Sequence, residues 1–210
     1  MVARCPDRVR WVAMLRAVLF DIGGVLATTP TTRWQDRWEA RLGLAPGRID
    51  AALEHVYRAG TIGAVTVDDV ARAVATELSA EHAVAILDDL WDEYLGQTNT
   101  RLLAYFASLR PRYRTGILSN SWVGAREREQ ARHRFAEHCD VVIYSHEEGM
   151  TKPAALFYEV ACARLGVAPS DVVFLDDIRG HVEAARGLGM SAVHFVDTGA
   201  ALRDLRRLLG

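Results

Sequence analysis

The stretch Arg16-Ala17-Val18-Leu19-Phe20-Asp21-Ile22-Gly23-Gly24-Val25-Leu26 decides how the rest of the chain is read. Ala17 to Phe20 is unbroken apolar sequence, as in a strand buried on both faces of a parallel sheet. The run ends on one carboxylate, Asp21, followed by two glycines that permit a sharp turn. Ligands in open α/β sheets bind at the carboxyl ends of the strands, which makes Asp21 a candidate. Taken alone, an Asp after a strand is also an ordinary turn residue, so the rest of the chain has to decide.

Working outward, the 210 residues are enough to bury a real core, and one domain carrying a sizeable insertion is expected. Half the residues are hydrophobic, a quarter are charged and the net charge is −2, which gives no bulk electrostatic case for nucleic acid or an acidic membrane. The three cysteines, Cys5, Cys139 and Cys162, are scattered and odd in number. They form neither a disulfide framework nor a zinc spacing, and a reducing, cytoplasmic setting is expected. No apolar run approaches a transmembrane helix, and no signal peptide follows the basic residues 1–10. Residues 1–14, ending at Met14, read as a loose tail.

Beyond the first strand, Thr28 to Thr32 is a polar break containing Pro30. Residues 31–95 show helical spacing and no strand pattern. Trp34, Trp38 and Leu42 mark one helix; Ile49, Leu53, Val56 and Tyr57 a second, broken at Gly60 to Gly63; Thr66 caps a third with Asp69 as its capping-box partner. Val84, Leu87, Leu90, Trp91 and Tyr94 mark a fourth, closed by Gly96. After that an α/β rhythm resumes: a helix ended by Pro111, a strand over 113–118, a charged helix over 122–138, a strand over 141–144, and a helix over 153–165 with Pro153 at its first position. A strand over 172–175, a helix over 178–188, a strand over 192–196 and a helix over 200–209 complete it. The pattern predicts an α/β fold, a Rossmann-like three-layer parallel sheet with right-handed crossovers. Residues 15–28 and 99–210 form its core, and residues 29–98 a small all-helical cap inserted after the first strand. The two crossings between them are expected at Thr28-Thr29-Pro30 and Gly96-Gln97-Thr98.

Four polar groups follow strands or precede helices: Asp21, Ser119-Asn120, Lys152 and Asp176-Asp177. Carboxylates from two strand ends can hold a hard cation such as Mg²⁺. A Ser hydroxyl and a Lys ammonium can hold phosphate oxygens, and a carboxylate facing both can attack phosphorus. Each group also has a bland reading, as turn, cap or solvated residue. Asp-Asp recurs at Asp68-Asp69 and Asp88-Asp89 on expected helices, and only the third pair follows an apolar strand. His55, His133, His138, His146 and His194 show no metal-ligand spacing and read as surface or partly buried. The stripe Trp34/Trp38/Trp91 reads as cap core.

In this order and with these strands, the chain resembles the haloacid dehalogenase superfamily of Asp-nucleophile hydrolases, in the branch with a small helical cap. It is similar in particular to the N-terminal phosphatase domain of soluble epoxide hydrolases and their bacterial relatives. The resemblance runs from Leu15 to the C-terminus. It rests on Phe20-Asp21-Ile22-Gly23-Gly24-Val25-Leu26, Ile117-Leu118-Ser119-Asn120, Lys152-Pro153, Val173-Phe174-Leu175-Asp176-Asp177 and the following Ala184-Ala185-Arg186-Gly187-Leu188-Gly189-Met190. The resemblance implies that Asp21 is the nucleophile and that Asp21, the Gly23 carbonyl, Asp177 and Asp176 bind Mg²⁺. It also implies that Ser119, Lys152 and Asn120 form the phosphate site.

Two positions depart from the family pattern. The second Asp that usually follows the nucleophile by two residues, as general acid/base, is Gly23 here, and His181 stands where an Asn is usual. Losing a general acid/base removes about 10²–10⁴-fold in rate, so reduced activity is expected, least so on esters with good leaving groups. The expectation is a Mg²⁺-dependent phosphatase of a small phosphorylated metabolite, working through an aspartyl-phosphate, as a monomer or homodimer. The alternatives are a 2-haloacid dehalogenase-like hydrolase and a catalytically quiet binding protein of the same fold.

Overall fold

Four residues, β1 (Ala17–Phe20), are fully buried and hydrogen-bonded on both sides, as their unbroken apolar sequence requires. In the computed structural model, which describes residues 15–110 and 112–210, β1 is the centre of a five-stranded sheet. The expected tail 1–14 with Met14, Cys5, and Pro111 as a helix end lie outside the described residues.

The chain runs from β1 through β2 (Ala27–Thr28) into four helices, α1 (Trp34–Leu42), α2 (Arg48–Thr61), α3 (Val67–Glu77) and α4 (Ala83–Leu95). It returns by β3 (Gln97–Thr98), which pairs antiparallel with β2. Then follow α5 (Thr100–Ser108), β4 (Arg114–Ser119), α6 (Ala125–His133), β5 (Val141–Tyr144), α7 (Ser145–Glu148), α8 (Ala155–Leu165), β6 (Val172–Asp176), α9 (Arg179–Gly187), β7 (Ser191–His194) and α10 (Thr198–Leu209). The sheet order is β5-β4-β1-β6-β7, and every neighbouring pair is parallel.

Alternation along β1 produces the three layers. Val18 and Phe20 face Leu102 and Phe106 of α5 and Leu202 and Leu205 of α10, with Phe20 stacked on Phe106 at 4.6 Å between ring centroids. Ala17 and Leu19 face Phe157, Tyr158 and Leu165 of α8 and Ala185 of α9. The four helices close over a third apolar cluster, built on Trp34, Trp38, Leu53 and Val74, which also takes in Trp122 and Val123 from the segment after β4.

The second helix ends within the expected break at Gly60 to Gly63, with Thr61 its last residue. The structure corrects other sequence expectations. The expected helix 122–138 is shorter. Gly124 (φ 81°) precedes α6 and Arg134 (φ 57°), in the left-handed region, ends it, leaving Trp122 and Val123 free to pack under α2 and α4. Pro153 does not open α8; it follows a cis peptide bond at Lys152 and α8 begins at Ala155. The last strand stops at His194, and Val196, expected within it, is exposed. The Thr66 capping box on α3 forms as expected, with reciprocal bonds between Thr66 and Asp69.

Candidate active site

The β1 register sets the site. Phe20 is level with Ile117 of β4 and Leu175 of β6, so Asp21, Leu118 and Asp176 stand side by side one residue further on. The Asp21 N–H extends the ladder by donating to the Leu175 carbonyl at 2.9 Å. Ser119 ends β4, also buried.

Lys152 joins these strand ends. Its side chain is fully buried and its Nζ donates to Asp21 Oδ1 at 2.8 Å, Asp176 Oδ2 at 2.7 Å and the Leu118 carbonyl at 2.9 Å. All three ammonium protons are therefore placed. Asn120 holds the Lys152 backbone on both sides: its Oδ1 accepts from the Lys152 N–H at 2.7 Å, and its Nδ2 donates to the Lys152 carbonyl at 3.0 Å. The structure thus puts the Asn120 carboxamide on Lys152. Asp21 Oδ1 also accepts from the Ile22 N–H at 2.8 Å, while Oδ2 takes part in neither of these contacts.

Asp176 is held from the far side by His181 Nδ1, at 3.0 and 3.1 Å from its two oxygens, and by the Ile178 N–H at 2.8 Å. His181, the residue standing in place of the usual Asn, therefore steadies the same carboxylate that Lys152 grips. Asp177 is half-buried against Gly24, where a Cβ would lie 2.2 Å from Asp177 Oδ2. Its backbone carbonyl accepts from His194 Nε2 at 2.9 Å.

The electrostatics follow from burial. Burial pushes the Asp21 carboxyl up to about 6; Lys152 opposes this and the Asp176 charge adds to it. Burial also disfavours the charge on Asp176, but the His181 hydrogen bond, the Lys152 ammonium and the Ile178 N–H together hold that carboxyl below its usual range. Asp177 is raised by burial and by Asp176. Three carboxylates thus crowd one ammonium. Ligand atoms of Asp21, Asp176 and His181 lie within 4.8 Å of one another, and the Gly23 carbonyl follows in the adjoining turn. A hard dication with oxygen ligands fits this donor set, because its charge would offset the burial and the Asp176 repulsion that together keep Asp21 and Asp177 hard to ionise.

The sequence reading missed one group nearby. Glu129 on α6 is buried, and Tyr144 donates to its Oε2 at 2.6 Å. It sits in a run of alternating charges, Arg126-Glu127-Arg128-Glu129, and nothing in that pattern marks it as the one turned inward. His133, read as surface or partly buried, is buried one turn further along, with Nε2 donating to the Leu95 carbonyl at 2.9 Å and Nδ1 at 2.7 Å from Thr98 Oγ1.

The haloacid dehalogenase-like hydrolase family model matches residues 15–189. The bifunctional epoxide hydrolase 2 of Sus scrofa is 28% identical over 216 residues, which cover 93% of this chain but only 39% of that protein. The D-ribitol-5-phosphate phosphatase of Bacteroides thetaiotaomicron is 24% identical over 187 residues, 84% of this chain and 89% of the relative. The crystal structure of a family enzyme from the same bacterium, in complex with magnesium and inorganic phosphate, superposes with a TM-score of 0.76 at 19% identity. It covers 90% of this chain and all of the other, and at that identity it speaks for the fold. No helix among the described residues is long and apolar enough to cross a membrane.

Proposed function

We propose that this chain, which belongs to the haloacid dehalogenase-like hydrolase family, is a Mg²⁺-dependent phosphatase of small phosphorylated metabolites with Asp21 as its nucleophile. The observation that carries this reading is the buried bridge Asp21–Lys152–Asp176 at the strand ends, with Ser119 beside it. The naming of the Bacteroides relative as a sugar-alcohol phosphate phosphatase supports the reaction class.

Asp21 attacks phosphorus through the oxygen that Lys152 does not hold. A P–O bond to the aspartate forms as the P–O bond to the ester oxygen breaks, and water then cleaves the aspartyl-phosphate. Lys152 has two tasks. Its ammonium keeps Asp21 aimed, and it binds a phosphoryl oxygen beside the Ser119 hydroxyl by exchanging one of its three present acceptors for that oxygen. Asn120 fixes the Lys152 backbone so that this reach is constant. Asp176, fixed by His181, keeps Lys152 from following Asp21 alone. Asp21, the Gly23 carbonyl, Asp176 and Asp177 would hold Mg²⁺, which when bound supplies positive charge for the phosphoryl oxygens. The helical segment 29–98 acts as the cap, and its closure excludes water from the nucleophile.

The test is a turnover screen over aryl and alkyl phosphate esters, with and without Mg²⁺, on the wild-type protein and on Asp21→Asn. Phosphate release that needs Mg²⁺ and vanishes in the variant is expected. Metal-independent turnover of a 2-haloacid, or stabilisation by phosphate without turnover of any ester, would overturn the reading.

A further inference from the structure

The amino end of the sheet, opposite the edge that carries Asp21, holds a second concentration of charge. We propose that it is a binding site for an anion bearing a chain of phosphate groups, a nucleoside triphosphate or an inorganic polyphosphate, held by Arg112 and Arg114. The inference does not depend on the reaction carried out at Asp21.

A cavity of about 630 Å³ opens there, and five arginines line it: Arg16, Arg110, Arg112, Arg114 and Arg164. Three stretches of chain bring them together. Arg16 immediately precedes β1, and Arg114 begins β4 in register with Ala17, its N–H donating to the Arg16 carbonyl at 2.9 Å. Arg110 and Arg112 belong to the segment between α5 and β4, and Arg164 is in the last turn of α8. Arg114 Nη1 lies 3.6 Å from the place of a Gly166 Cβ, so its guanidinium reaches the end of α8, where Arg164 also stands. Asp21 is five residues from Arg16, about 17 Å along an extended chain. The fully buried β1 lies between them, so the two sites are separate.

The charges around the cavity do not balance. Asp140 is the carboxylate in its wall, and it already serves Arg110 at 3.2 Å and the Thr115 N–H at 2.8 Å. Arg164 is paired with Glu148, and Arg16 is 3.8 Å from Asp171. Arg112 and Arg114 meet no carboxylate side chain among the described residues. Arg112 is held in place all the same. Its Nη1 donates to the Gly210 backbone oxygen at 3.0 Å, and its guanidinium lies over the Tyr113 ring, 5.3 Å from the centroid. The Tyr113 hydroxyl is fixed in turn, donating to the Leu209 carbonyl at 2.6 Å. A surplus of positive charge on the walls of one cavity draws an anion into it. The whole chain carries −2, so this attraction belongs to the cavity and not to the protein at large.

The walls also set the class of anion. Guanidinium groups match phosphate oxygens with paired N–H donors, which a carboxylate-binding lysine would not require. The volume is that of a site for a cofactor-sized molecule, far more than one phosphate group needs. Arg112 and Arg114 come from different turns of the chain, so a run of phosphates serves both where a single one serves one. Leu15, Val141 and Leu165 give the cavity an apolar side, on which a nucleoside would rest and which an inorganic chain would leave bare.

The experiment is calorimetric titration of the full chain, without Mg²⁺, with tripolyphosphate, ATP and orthophosphate in turn. Tripolyphosphate and ATP should each bind as one molecule per chain, more tightly than orthophosphate by roughly tenfold or more, and more weakly as salt is raised. Arg112→Gln and Arg114→Gln should each weaken that binding by about tenfold or more. Ser119→Ala, at the phosphate end of the other site, should leave it unchanged. ATP binding above tripolyphosphate would assign a nucleotide resting on the apolar side, and equal affinities would assign the phosphate chain alone. Both arginines are exposed, so the variants keep the fold, which their melting curves check. Affinity that survives both arginine substitutions, or that falls in Ser119→Ala, would overturn the site. So would the absence of binding by either polyphosphate, or orthophosphate binding as tightly as tripolyphosphate.

Discussion

The Asp177 carboxylate occupies the space that a side chain on residue 24 would need, with Oδ2 2.2 Å from the place of a Gly24 Cβ. Gly24 is also at φ 72°, a region that costs an L-residue about 1–2 kcal/mol. Its neighbour Gly23 has neither constraint: a Cβ there meets nothing within 4 Å, and its φ is not positive. Gly24→Ala should therefore lower the melting temperature and displace Asp177, weakening the stabilisation by added Mg²⁺. Gly23→Ala should leave both within error. Thermal melts of the two variants with and without Mg²⁺ decide it, and equal behaviour would remove Asp177 from the proposed metal ligands.

Lys152 is the only cation that touches Asp21 and Asp176 among the described residues. Lys152→Met keeps much of the volume and leaves two buried carboxylates without their counter-charge, which costs about 3–5 kcal/mol. The penalty should depend on pH. Without the ammonium the Asp21 carboxyl rises further above 6, and its stability contribution is lost as pH rises through that value. Urea unfolding at pH 5 and pH 8 should show a much smaller deficit at pH 5. A deficit independent of pH would mean that Lys152 acts through packing alone.

What was legible in the sequence was what local pattern encodes. The Ala17 to Phe20 run, the helical spacing of Ile49, Leu53 and Val56, and the Thr66 capping box each declare themselves within one element. The strand ends that gather Asp21, Ser119 and Asp176 followed from parallel pairing. What was hidden depends on partners distant in the chain. Glu39 is a buried carboxylate because it accepts from the Gly47 and Ile49 N–H groups at 3.0 and 2.9 Å, serving the N-terminus of α2 from α1. Glu129 is buried because α6 meets the crossing between α4 and β3. Pro153 has the look of a helix start, but the turn that brings Lys152 to Asp21 takes it first.

The wild-type protein should lose stability as pH rises, in the absence of metal. Asp21 has an ordinary value of 3.8 and sits near 6 in the folded chain; Glu129 moves from 4.5 to about 7, and Asp177 is also raised. Each is an acid with its folded value above its unfolded one. Its contribution is complete below the unfolded value and lost as pH rises through the folded one. The Asp21 gap alone corresponds to about 3 kcal/mol. Asp176 has the opposite sign, but its contribution disappears only on acidification below 3.8, outside this window, and His133 and His146, which burial lowers from 6.5, oppose the fall only below that value and by less than the acids. Melting temperature should fall between pH 5 and pH 8, and Mg²⁺ should raise it more at pH 8 than at pH 5. A Mg²⁺ shift that is the same at both would place the ion away from Asp21.

Gly60 tests how α2 is fastened to the sheet side. A Cβ at Gly60 would lie 1.9 Å from Trp122 Nε1, so the indole rests on bare backbone. The Val123 N–H donates to the Gly60 carbonyl at 3.2 Å, and Ser145 Oγ donates to the Thr61 carbonyl at 2.7 Å, so the end of α2 is stitched to the segments after β4 and β5. Trp122 cannot retreat easily, because Trp91 lies 5.4 Å from it and Tyr57 5.6 Å, centroid to centroid. Helix propensity alone favours Ala over Gly by about 1 kcal/mol in a helix interior. Overpacking costs about 1–3 kcal/mol, and here it acts on an indole held from both sides. Gly60→Ala should therefore destabilise, with a change in tryptophan fluorescence. Gly180→Ala in α9, where a Cβ meets nothing within 4 Å, should be neutral or stabilising. Urea midpoints of the two variants set the two effects against each other, and a stabilised Gly60→Ala would show that Trp122 moves freely and that α2 is held to the sheet side by other contacts.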